Sequence, residues 1–122
     1  MKTKSLKAKG RRLQNKIREL LINELDIPAH DIDVAIMGEG GVDVKIHSSS
    51  LHKFPYAIEC KNVERINIWK AWEQAEAHVL KGDSSAQSHP LLIFSKNRHT
   101  PLAVLDVEHL IGLYKNGPLG RK

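Results

Sequence analysis

Leu91-Leu92-Ile93-Phe94 is a wholly apolar run, and it limits the possible folds of this chain more than any other segment. A strand with one wet face alternates polar and apolar residues, whereas a continuous apolar run suits a strand buried on both faces. Such a strand belongs inside a sheet that helices flank. Ala103-Val104-Leu105 gives the same signal after the turn residues Lys96 to Pro101. Ile32 to Met37 alternates as a strand, Gly38-Glu39-Gly40-Gly41 marks a turn, and Val42 to Ile46 reads as the next strand. Tyr56 to Asn62 follows as a further strand after the polar connection His47 to Pro55.

Three segments have helical periodicity. From about Leu6 to Leu25 the residues Leu6, Leu13, Ile17, Leu20, Leu21 and Leu25 form one stripe, which Asp26-Ile27-Pro28 ends. A second helix over Ile68 to Leu80 has Trp69, Trp72, Val79 and Leu80 as its apolar side and alanines as a close-packing flank. Asp106 caps a short last helix through Leu113, with Glu108 and His109 on its exposed side. The order αβββαββα predicts an α/β fold with a mixed central sheet of about five strands flanked by helices. At 122 residues the chain suits one domain over 13–116, with a basic arm at 1–12 and a tail at 117–122.

Charge is distributed unevenly. The first 18 residues carry Lys2, Lys4, Lys7, Lys9, Arg11, Arg12, Lys16 and Arg18 and no acidic residue, which leaves 11 basic and 14 acidic groups on the rest. A basic arm on an acidic body is the footprint of a polyanion binder, most often of nucleic acid, although the same arm can serve as a solvated tail. No apolar stretch approaches a membrane span of about 18 residues, and no signal-peptide core opens the chain, so an intracellular protein without membrane association is expected. The single cysteine, Cys60, has no disulfide partner or zinc set and is expected to pack inside.

Within Tyr56 to Asn62, alternation sends Glu59 and Lys61 to one face and Ile58 and Cys60 to the other. Antiparallel pairing with the strand that holds Asp43 would bring a second carboxylate to the same cluster. Mg²⁺ takes oxygen ligands and is usually held by one or two carboxylates plus phosphate and water. Asp43, Glu59 and the Cys60 carbonyl are the candidate ligands, and Lys61 is placed to orient water or steady phosphate charge. An acidic-x-Lys triplet is common by chance and also fits a strand with one wet face. The glycine turn before Asp43 and the order of elements favour the site.

With Gly41-Val42-Asp43 followed by Ile58-Glu59-Cys60-Lys61 in this element order, the chain resembles the PD-(D/E)xK nuclease superfamily, above all its small phage and archaeal Holliday-junction-resolvase-like members. The likeness also takes in Lys9 to Gln14 and Trp72 to Glu76. It implies a restriction-endonuclease-like core, a metal-dependent DNA endonuclease and commonly a homodimer. Asp43 and Glu59 would be its metal ligands, Lys61 its catalytic lysine, and Mg²⁺ its ion, with Mn²⁺ able to substitute. The host would be bacterial or archaeal, with the protein in its cytoplasm or encoded by a phage.

The proline that names the motif is Val42 here. The first-helix acid of many members is also missing from the inward face, because Glu19 lies about 200° from the stripe centre near Ile17. Gln14, about 60° from Ile17, takes that position as an accessory catalytic contact. Lys4, Lys7, Lys9, Arg11, Arg12 and Lys45 are the candidate nucleic-acid contacts and Gln74 an accessory amide. Glu39 and the seven histidines read as surface or packing residues. Branched DNA is the expected substrate. The alternatives are another nuclease activity on duplex or single-stranded ends and a non-catalytic nucleic-acid-binding module. The tryptophan side of the second helix is a dimer candidate if Trp69 is exposed.

Overall fold

A computed structural model describes residues 3–35, 42–80 and 88–115. Its elements follow the order α1 (Thr3–Leu25), β1 (Ile32–Val34), β2 (Val44–Ile46), β3 (Tyr56–Asn62), α2 (Ile68–Leu80), β4 (His89–Ser95), β5 (Leu102–Val104) and α3 (Val107–Lys115). The architecture is α/β, with the five strands in one mixed sheet of sequential order β1-β2-β3-β4-β5. β1, β2 and β3 pair antiparallel, β3 and β4 pair parallel across the α2 crossover, and β5 returns antiparallel. Among the described residues the parallel pair is the centre of the molecule, with α1 packed on one face and α2 on the other.

α1 covers one face. Leu13, Ile17 and Leu21 pack with Ile32, Val44, Ile46, Ile58, Cys60, Leu91 and Ile93 in the main core. α2 lies on the opposite face, where Ala57, Leu92, Ala71 and Ala75 are buried. Alanines let the helix approach the sheet closely. This departs from the expected role of Trp69: Ala71 and Ala75 form the packing side, while Trp69 is 76% exposed and Trp72 half-buried.

α1 begins at Thr3, so most of the expected 1–12 arm is the first half of a continuous helix. The helix stops where Asp26 turns left-handed, with φ of 56°. The Ile27 N–H then reaches back to the Leu21 carbonyl at 3.4 Å. A left-handed residue ends a helix at least cost when it is glycine. Asp26→Gly should therefore raise stability by about 0.5 kcal/mol, read as a higher urea midpoint at unchanged slope.

Strand limits differ from the sequence reading mainly at the edges. β2 starts at Val44 and β1 ends at Val34, and the expected glycine turn with Glu39 lies outside the described residues, as does the 117–122 tail. β5 is not a doubly buried strand, because Leu102 and Ala103 are exposed. Asp31 is tied down near β1: the Ser50 and Ser49 hydroxyls donate to its carboxylate and hold its pKa below the usual range. Asp106 caps α3 as expected, accepting the His109 N–H at 3.0 Å.

Candidate active site

Glu59 stands in the middle of β3, the central strand of the sheet, and its side chain projects toward α2. It is 6% exposed. The register puts Leu92 of β4 beside it, so one wall of its pocket is hydrocarbon. Lys61, two residues on, shares this face, and its Nζ lies 3.8 Å from Glu59 Oε2. Asp43 comes in from the adjacent strand entrance. Val44 pairs antiparallel with Ile58, so Asp43, just before β2, falls opposite Glu59, and the Cys60 N–H donates to Asp43 Oδ2 at 2.8 Å. The N–H and C=O of one strand residue leave on the same edge, which directs the Cys60 carbonyl toward Asp43 as well.

Two carboxylates in one partly buried site repel and are poorly hydrated. Desolvation, followed by the nearby Asp43 charge, pushes the Glu59 pKa up to about 7, against the opposing pull of His78 and Lys61. Burial also raises Asp43, partly offset by the Cys60 N–H. Such strain between like charges is relieved by a cation. Glu59 Oε1 also lies 3.1 Å from His78 Nδ1 on α2, a contact that opposes the rise in its pKa.

Among the described residues no group of three or more His, Cys, Asp or Glu side chains is gathered as a metal cage. Mg²⁺ needs fewer protein ligands than that, because it keeps water and takes substrate oxygens. The donor set of two part-buried carboxylates and a neighbouring strand carbonyl fits such an ion. The Cys60 thiol itself points into the α1 core, where burial drives its pKa upward and makes thiolate chemistry unfavourable.

The remaining candidates are spread more widely. Gln14 is buried, but it sits on the inward face of α1, and α1 covers the Ile58 and Cys60 side of the sheet. Its helix packs on the face of the sheet opposite to α2, toward which Glu59 projects. Glu19 faces solvent beside Arg18 as the helical wheel requires. Lys9 is 6% exposed, with its ammonium 3.5 Å from Glu64 and its carbonyl accepting the Asn62 amide at 3.0 Å. It fastens α1 to the end of β3 and is not presented to a ligand in solution. Lys7, Arg11, Arg12 and Lys45 are exposed, and Lys4 lies in the first turns of α1.

Gln74 lines a groove of about 290 Å³ together with Lys61, Arg65, Asn67 and Lys70. Three cations in that groove run from the triad to the start of α2. Sequence reasoning passed over Arg65 and Lys70 because neither belongs to a charge run. It also passed over His78, whose signal was the spacing Ala71, Ala75, His78 on the helix face turned to the sheet. Searches against protein-family models, curated proteins and solved structures give no match to this chain. Among the described residues no helix is long and apolar enough to cross a membrane.

Proposed function

We propose that this chain is a Mg²⁺-dependent DNA endonuclease with a restriction-endonuclease-like core of the PD-(D/E)xK kind, acting on branched DNA as a homodimer. The observation that supports this reading is the buried Glu59, held beside Asp43 and Lys61 with its pKa pushed up to about 7 by burial and the Asp43 charge. A carboxylate kept in that state costs stability and is retained where a cation is to be bound. Asp43, Glu59 and the Cys60 carbonyl would hold Mg²⁺, or Mn²⁺ in its place. Bound there, the ion supplies Lewis acidity to a phosphodiester and lowers the pKa of water. Lys61 steadies the charge that builds on the phosphate oxygens. Arg65, Lys70 and Gln74 take the adjoining backbone phosphates, and the exposed cations of α1 add sequence-independent affinity. So few groups are free to read base edges that backbone shape becomes the feature recognised.

The deciding assay offers a synthetic four-way junction, a linear duplex and a single strand to the protein in Mg²⁺ or EDTA, beside Glu59→Ala. Paired nicks across the junction should vanish with EDTA and in the variant. Equal cutting of all three substrates would remove the branch preference, and binding without cutting would leave a non-catalytic module. Joint substitution of Arg65 and Lys70 by alanine should weaken junction binding about tenfold and flatten the log–log salt slope by about two. An unchanged slope would place the DNA elsewhere.

A further inference from the structure

α3 carries an apolar stripe on the wrong side for its own protomer. Val107, Leu110, Ile111 and Tyr114 recur at the spacing of one helix face, and all are between 41% and 70% exposed. The inward side is half-buried at His109, Gly112 and Leu113, and His109 hydrogen-bonds with the Tyr56 hydroxyl at 2.7 Å and lies against the His89 ring at 4.3 Å between centroids. No residue of α3 is buried, and a Cβ built at Gly112 meets nothing within 4 Å. Isolated helices shorter than about 12 residues are marginal in water, so a 9-residue helix depends on packing that the described residues of this protomer supply only in part. The adjoining residues 116–122 bring only one large apolar side chain, Leu119.

We infer that α3 pairs antiparallel with α3 of a second copy of this chain, about a two-fold axis crossing the helices between Leu110 and Ile111. The charges select that partner and that direction. Glu108 and Lys115 lie on the same flank of the stripe, seven residues apart, and neither has an ion-pair partner among the described residues. An antiparallel two-fold sets each flank against itself, so Glu108 of each copy falls within about 3 Å, along the axis, of the partner's Lys115. A parallel pair would put opposite flanks together and leave both charges unmatched. The stripe offers roughly 400 Å² per protomer, the apolar core of a small two-fold interface of about 600 Å² a side. The pairing supplies the two-fold that a junction nuclease uses and rests on that reading only for its purpose.

Sedimentation equilibrium tests it without reference to activity. Wild-type protein at about 50 μM should sediment at twice 13.7 kDa. Ile111→Glu should raise the dimer dissociation constant at least about 100-fold, with circular dichroism to verify its fold. Glu108→Lys and Lys115→Glu should each weaken the dimer about tenfold, and the double swap should restore it to within about threefold of wild type. A monomeric wild type, a double swap no better than the single variants, or a dimer lost in Trp69→Glu and kept in Ile111→Glu would overturn the pairing. A dimer that cuts no DNA would sink the nuclease reading alone, and a monomer that cuts would sink the pairing alone.

Discussion

Glu59→Gln should abolish junction cleavage, lowering its rate by about 10³-fold or more, while making the protein harder to unfold above neutral pH. The two effects have one cause. In the folded chain the Glu59 pKa is about 7 against an ordinary 4.5, so between those values the native state binds more protons than the unfolded state. Stability therefore falls as pH rises through that window and stays low beyond it. Glutamine keeps the shape and cannot ionise. In EDTA its advantage in melting temperature should be near zero at pH 4.5, grow toward pH 7 and level off above it. Adding Mg²⁺ should raise the melting point of the wild type and leave the variant unmoved. Equal melting points at pH 8, or loss of stability in the variant, would show that Glu59 is an ordinary structural carboxylate.

Leu92→Ala should be the most damaging single truncation in the core, at about 3–4 kcal/mol, read from the urea midpoint. Leu92 is fully buried in β4, between α2 and the sheet, and α2's alanines leave no longer side chain to fill the space. The same leucine helps keep water from Glu59, its register partner. Opening that wall should let water reach the carboxylate and draw its pKa back toward 4.5, so the pH dependence of stability between pH 4.5 and 7 should become shallower. A cost below about 1 kcal/mol would mean that α2 settles onto the gap.

The sequence discloses most about segments whose surroundings repeat along the chain. Tyr56–Asn62 and Ile68–Leu80 are bounded as their periodicity predicts, since alternation and a 3.6-residue period record which side meets the sheet. The triad was legible for the same reason, given antiparallel pairing of the two strands. Rotation of α2 was not legible. Large aromatic residues outweigh alanines on any hydrophobic scale, yet the sheet beneath α2 accepts only a close approach, and so Trp69 turns outward. Lys9 was misjudged because a helix beginning at Thr3 carries it over the end of β3, where Glu64 meets it. Gln14 turns inward at the angle its helical position predicts. β5 reads as interior because its apolar residues are indistinguishable in sequence from those of β4.

The lone thiol gives the molecule an internal clock. Cys60 lies between the carboxylates and the α1 core, on the strand that neighbours grip from both sides, so a thiol reagent can reach it only when β3 parts from its surroundings. Its labelling rate measures how often the site breathes, separately from any chemistry performed there. Because its backbone N–H is held by Asp43, that rhythm is set in part by one of the residues the site needs most.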